Sequence, residues 1–106
     1  MKTEFKLIAD LIETGTRVLD VGCGDGTLME FLKDNKEIDV RGIEISKNNV
    51  QQCIGKGLTV IEGDAEQDLS QFPDGSFDFV ILSQTLQAFL NPEKVISELL
   101  RVGKKA

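Results

Sequence analysis

Asp20 sits inside a short apolar run, Val18 to Val21, and three glycines at alternate positions follow it. These are Gly22, Gly24 and Gly26, with Cys23 between the first two. Glycine lets the backbone turn sharply and approach a ligand without a Cβ in the way. A helix that starts just after them leaves its first N–H groups free to meet a negative group. The spacing is not the G-x-G-x-x-G of dinucleotide-binding turns, because position 27 is Thr. Asp20 also stands close to where a pyrophosphate would lie. A carboxylate there repels phosphate and suits an ammonium or sulfonium cation. S-adenosylmethionine (SAM) carries both. The alternative is a glycine turn that holds nothing, and the entropy cost of three alternating glycines argues against it.

Two further acidic residues stand where the same ligand would extend. Glu44 ends a second β-rich run about twenty residues past the glycine turn, where a carboxylate can accept both hydroxyls of a ribose. A solvated strand-end Glu is the plainer alternative. Asp64, beside Ala65, can take the exocyclic amine of adenine while a backbone N–H meets a ring nitrogen. It can equally be a helix N-cap. Ser83 follows a fourth apolar run. The chain contains no histidine, so neither a Ser-His-Asp nor a Cys-His arrangement can form. Any acid–base step falls to Asp, Glu, Lys or Cys. The two cysteines, Cys23 and Cys53, lack C-x-x-C partners, so neither zinc nor a disulfide is expected. Cys23 reads as a small residue that fits between glycines. No metal ligand and no catalytic residue is assigned.

The elements that must position these groups follow from periodicity. A helix over 3–13 carries Phe5, Leu7, Ile8, Leu11 and Ile12 on one face and stops at Gly15. Arg17 to Val21 is a strand. A helix follows the glycine turn to about Lys33. Asp39 to Glu44 is a strand, and Ser46 caps a helix over Lys47 to Gly55 that buries Val50, Cys53 and Ile54. Leu58 to Glu62 is a third strand. Phe72-Pro73-Asp74-Gly75-Ser76 is a turn. Phe77 to Leu82 is almost continuously apolar, as in a strand of a parallel sheet covered on both faces. Asn91-Pro92-Glu93 opens a last helix with Val95, Ile96, Leu99, Leu100 and Val102 on its inner face. A helix followed by four strand–helix pairs predicts an α/β fold with a parallel sheet and right-handed crossovers. Ligands of such sheets lie at the carboxyl ends of the strands. Asp20 to Gly26, Glu44, Asp64 and Ser83 all fall there.

At 106 residues, 41% of them hydrophobic, the chain suffices for one domain with a modest core. Acidic residues outnumber basic ones 18 to 12, for a net charge of −6, and no basic block or basic–aromatic run appears. Nucleic acid is therefore not expected as a partner. No apolar run is long enough to span a bilayer, and residues 1–6 do not read as a signal peptide. A cytoplasmic location is expected.

The motifs Val18-Leu19-Asp20-Val21-Gly22-Cys23-Gly24-Asp25-Gly26, Gly42-Ile43-Glu44-Ile45, Gly63-Asp64-Ala65 and Ser76-Phe77-Asp78-Phe79-Val80-Ile81 resemble those of class I SAM-dependent methyltransferases. Leu7-Ile8-Ala9-Asp10, Glu62-Gly63-Asp64 and Leu82-Ser83-Gln84-Thr85-Leu86-Gln87-Ala88 resemble, more narrowly, the MetW family of methionine biosynthesis. The likeness covers nearly the whole chain. It implies a Rossmann-like three-layer αβα sandwich with a parallel sheet of strand order 3-2-1-4. It also implies one SAM-binding domain over residues 1–106 that lacks the family's C-terminal strands. By that resemblance, Asp20 and the Gly22, Cys23, Gly24 and Gly26 backbone hold the methionine end of SAM. Glu44 takes the ribose, Ile45 lies against adenine, Asp64 and Ala65 meet the adenine edge, and Ser83 lies near the methionine moiety.

The resemblance implies methyl transfer to a small molecule. Its alternative is a catalytically weak, SAM-binding regulatory partner of a homoserine O-acyltransferase. Many small-molecule methyltransferases carry His-x-Leu-Glu-His after strand 4, whereas this chain has Gln84-Thr85-Leu86-Gln87-Ala88. That favours the regulatory role, and positioning alone can still drive methyl transfer. The spacing of the glycines and the place of Asp20 disfavour a nicotinamide-dependent oxidoreductase. Without the family's fifth strand, strand 4 would be an open edge through which copies self-associate. The 106-residue chain alone is expected to be inactive.

Overall fold

A computed structural model describes residues 3–83 and 88–105. The elements are α1 (Thr3–Leu11), β1 (Arg17–Val21), α2 (Thr27–Asn35), β2 (Asp39–Glu44), α3 (Lys47–Gly55), β3 (Thr59–Glu62), α4 (Ala65–Asp68), a 3₁₀ turn (Leu69–Gln71), β4 (Phe77–Leu82), α5 (Pro92–Val102) and β5 (Gly103–Lys105). The strands form one parallel sheet in the order β3-β2-β1-β4-β5.

One face of the sheet packs Val18 and Val40 against Ala9 of α1 and Ile12 just past its end, Leu28, Met29 and Leu32 of α2, and Cys53 of α3. The other packs Leu19, Val21, Ile43 and Val80 against Ala65, Leu69, Val95, Leu99 and Val102. The result is the expected αβα sandwich. Alternation along β1 explains the split, since successive side chains of a strand point to opposite faces. Asp20 and Leu19 therefore face different layers.

Several expectations are corrected. The order 3-2-1-4 continues into a fifth strand: Gly103 pairs with Phe77 and Lys105 with Phe79, so β4 is not a bare edge over that length. The helix between β3 and β4 is a single turn, α4, that runs into the 3₁₀ turn. α1 stops at Leu11, two residues early, and α2 runs on to Asn35, whose amide donates to the Phe31 carbonyl at 2.8 Å. The helix faces are narrower than the apolar pattern suggests. Leu7 and Leu11 of α1, Ile54 of α3, and Ile96 and Leu100 of α5 are all exposed. Gln84 to Gln87, which carry part of the narrower resemblance, lie outside the described residues.

Candidate functional site

The carboxyl-end loops are tied to one another by main-chain bonds that continue the sheet past its last residues. Gly22 N–H donates to Ile43 O at 2.9 Å, Gly63 N–H to Glu44 O at 2.9 Å, and Ser83 N–H to Val21 O at 2.9 Å. Three loops distant in sequence thus hold a common register before any side chain contributes.

The glycine loop needs its glycines for two separate reasons. Gly24 (φ +60°) and Gly26 (φ +87°) adopt left-handed backbone that other residues reach only with strain. A Cβ on Gly24 would meet nothing within 4 Å, whereas one on Gly26 would lie 2.5 Å from Leu58 Cδ1 and 2.9 Å from Cys53 Sγ. In β2, a Cβ on Gly42 would lie 2.7 Å from Cys23 Sγ and 2.8 Å from Met29 Sδ. Gly42 is therefore the gap that lets the loop lie against the sheet. Cys23 is buried there, and burial, reinforced by Cys53, pushes its thiol well above the ordinary range. Such a thiol is a packing group, not a nucleophile.

Glu44 is buried and fully engaged. Its Oε1 accepts from Gly24 N–H at 2.8 Å, and its Oε2 accepts from Ser46 N–H at 2.9 Å and Asn49 Nδ2 at 3.4 Å. It pins the glycine loop to the start of α3, where the Ser46 hydroxyl caps Asn49 N–H as expected. Asp20 has no exposed surface. Its Oδ1 accepts a short hydrogen bond from the Ser83 hydroxyl, and its Oδ2 is buried with no partner among the described residues. Burial raises its pKa from 3.8 to about 7, the Ser83 bond opposes the rise, and Glu44 adds to it.

Two clefts meet at Gly22. One, of about 240 Å³, is lined by Gly22, Ile43, Ile45, Asp64, Ala65, Glu66 and the Ala88–Leu90 segment. The other, of about 530 Å³, is lined by the loop from Gly22 to Asp25, by Ser83, and by Glu4, Phe5 and Ile8 of α1. Ile45 is 63% exposed, a large apolar side chain beside the first cleft. Asp64 caps α4, its Oδ1 accepting from Glu66 N–H at 3.0 Å, so its N-cap role is realised. Gly26 lines neither cleft; it starts α2 from beneath. Among the described residues no lysine or arginine lines either cleft, whereas Glu4, Asp25, Asp64 and Glu66 do.

Sequence reasoning missed Glu66 and Asp68. Glu66 Oε1 and Oε2 accept from Leu90 and Asn91 N–H, each at 2.8 Å, and fasten the segment before α5 over the first cleft. Asp68 Oδ2 accepts from Asp64 N–H at 2.7 Å and steadies the α4 start. Both are acidic residues of a short helix, and nothing in their local pattern shows partners up to 25 residues away. The cleft-lining role of Phe5 and Ile8 was also missed, because an apolar helix face reads as core.

The fold is that of class I methyltransferases. The chain is similar to the structure of the [4+2]-cyclase SpnF (TM-score 0.82, 28% identity, covering 93% of this chain and 39% of that one). It is also similar to a SAM-dependent methyltransferase from Thermotoga maritima (TM-score 0.77, 27% identity, 94% and 44%). The chain belongs to the MetW family: the family model "Methionine biosynthesis protein MetW" matches residues 2–106. The "Bifunctional methionine biosynthesis protein MetXA/MetW" of Rhodopirellula baltica is 36% identical over 107 residues, 93% of this chain but 17% of that protein. Ajmaline N-methyltransferase of Rauvolfia serpentina is 33% identical over 94 residues, 81% of this chain and 32% of that protein. The chain thus spans well under half the length of these relatives. No helix among the described residues is long and apolar enough to cross a membrane.

Proposed function

We propose that this chain binds SAM across the two clefts that meet at Gly22, as the cofactor-binding part of a MetW-type methyltransferase acting on a small molecule. The observation that carries the reading is electrostatic. Four carboxylates and no cation line the clefts among the described residues, and a buried carboxyl oxygen, Asp20 Oδ2, lacks a partner at the root of the glycine loop. Such a rim favours a cation and opposes a pyrophosphate. SAM-dependent relatives support the same assignment.

In this reading the Gly22–Asp25 backbone and Asp20 hold the methionine end, with Cys23 filling the loop, Gly26 packing beneath it and Ser83 keeping Asp20 in place. Glu44 meets the ribose while still bound to Gly24, since each carboxylate oxygen accepts more than one hydrogen bond. Ile45 covers the adenine, and Asp64 and Ala65 meet its edge. SAM supplies a methyl group on a positively charged sulfur, and the residues named here orient it and exclude water.

A second reading has its own support. In the R. baltica relative a MetXA part is joined to the MetW part in one protein. This favours a SAM-binding partner of a homoserine O-acyltransferase. The cyclase among the similar structures illustrates that fold does not fix the reaction.

Calorimetric titration with SAM and with NAD tests the shared premise. SAM is expected to bind and NAD not, and Glu44→Gln is expected to weaken SAM about tenfold or more by removing charged acceptors. Undiminished SAM binding by Glu44→Gln, or tighter binding of NAD, would overturn the site. Methyl transfer to a small acceptor then supports the first reading. A SAM-dependent change in acyltransferase rate without methyl transfer selects the second.

A further inference from the structure

The amino ends of the strands carry a separate cleft of about 370 Å³ whose chemistry is the reverse of the first two. Arg17 and Arg41 line it, in a chain whose net charge is −6. Its floor and wall are apolar: Leu19 and Ile61 from the sheet, Phe72 and Pro73 from the turn before β4, and Phe77. Register accounts for the juxtaposition. Leu19 stands opposite Arg41, and Arg41 opposite Thr59, so the arginine lies between an apolar residue and a hydroxyl.

The two guanidinium groups share one carboxylate. Arg41 holds Asp39 through Nε at 3.2 Å and Nη2 at 3.3 Å, whereas Arg17 Nε lies 3.7 Å from the same carboxylate. Asp78 also faces Arg17, accepting from its main-chain N–H at 2.9 Å, and pairs with Lys104 at 3.3 Å, so these three cations outnumber the two carboxylates by one. The Arg17 guanidinium lies 5.1 Å from the centre of the Phe77 ring and donates no side-chain hydrogen bond among the described residues. Ser76, a lining residue, has a buried hydroxyl with no hydrogen-bond partner among the described residues. Two guanidinium groups that share a single carboxylate, beside an apolar floor, describe a receptor for an anion with an apolar body.

We infer that this cleft binds a small carboxylate bearing a short aliphatic or aromatic group, its carboxylate between Arg17 and Arg41 and its apolar part over Leu19, Ile61 and Phe72. The site lies at the opposite end of the sheet from the SAM clefts, and the inference stands whether or not the SAM reading holds.

Titrating benzoate and hexanoate into the ¹⁵N-labelled chain, with hexanol as the uncharged control, tests it. Saturable shifts are expected at the amides of Arg17, Arg41, Thr59 and Ser76, with none at Gly22 to Gly26 and none with hexanol. Arg41→Gln is expected to weaken binding about tenfold or more, because it removes one of the two positive charges and leaves Asp39 free to neutralise Arg17. If Arg41→Gln does not fold, Arg41→Lys takes its place and is expected to weaken binding several-fold, because the ammonium keeps the charge without the fork. Shifts that never saturate, that centre on the glycine loop, that hexanol reproduces, or that survive the Arg41 variants unchanged would overturn the inference.

Discussion

Replacing Asp20 by asparagine should make the protein more stable at neutral pH, although it deletes a buried hydrogen-bonding carboxylate. Asp20 lies wholly inside the structure, and burial lifts its pKa from 3.8 to about 7 against the opposing bond from Ser83. In the unfolded chain the group ionises near its ordinary value; in the folded chain it keeps its proton for about three more units. Between about pH 4 and pH 7 the folded state therefore binds the extra proton, so stability falls as pH rises through that window and levels off above it. At about 1.4 kcal/mol per unit, the loss is about 4 kcal/mol, a large share of a small domain's total. Asp25 and Asp78 have lowered pKa values, Asp25 through Thr27 and Asp78 through the Arg17 N–H, so their contributions are lost on the acid side, outside this window. Asn keeps the shape and the acceptor for Ser83 and cannot ionise.

Urea unfolding followed by far-ultraviolet circular dichroism suits a chain with no Trp or Tyr. The wild type should lose about 2–3 M in urea midpoint from pH 4.5 to pH 8, while Asp20→Asn stays nearly level. The two proteins should match within about 1 kcal/mol at pH 4.5. A variant whose stability falls with pH as steeply as the wild type's would show that Asp20 is not the group responsible.

Gly24 and Gly26, two of the three left-handed glycines of the loop, should separate strain from crowding. Gly24→Ala should cost about 1–2 kcal/mol, the backbone strain alone, since its Cβ would meet nothing within 4 Å. Gly26→Ala should cost about 2–4 kcal/mol, because Leu58 and Cys53 must also move; equal costs in urea titrations would contradict the packing described. Arg101 donates to the carbonyls of Phe72 at 2.7 Å and Leu69 at 3.0 Å and to Asp74 at 2.7 Å. Arg101→Lys should lower the melting temperature and quicken amide exchange across residues 69–76, and unchanged exchange there would remove the clamp from the argument.

What was legible in the sequence shares one physical origin: short-range pattern. β1, β2, α3 and β4 begin and end where expected, because β-rich runs abut glycines, a Ser cap or a Pro-Asp-Gly turn. The corrections come from neighbours that the pattern does not include. Ile96 and Leu100 share the apolar stripe of α5 with Val95 and Leu99, yet only the side against the sheet is covered. Gly103 to Lys105 is too short and too polar to read as a strand, and its pairing with β4 makes it one.

The same distinction explains the site. Asp20, Glu44, Asp64 and Ser83 could be placed together from sequence because all four lie at or just past the carboxyl ends of strands of one parallel sheet, and the topology does the rest. Their partners could not. Glu44 reaches back 20 residues to Gly24, Ser83 reaches 63 residues to Asp20, and Glu66 reaches forward to Leu90 and Asn91. Those bonds decide which oxygens are satisfied and which remain free. Glu44 is occupied on both oxygens, whereas Asp20 Oδ2 has no partner among the described residues, so on the proposed reading a cation bound at the loop should act on the charge state of Asp20. Ligand binding at Gly22 and the proton on Asp20 are then linked: a bound cation should pull the Asp20 pKa down from about 7 and flatten the pH profile of stability, as the asparagine variant does without any ligand.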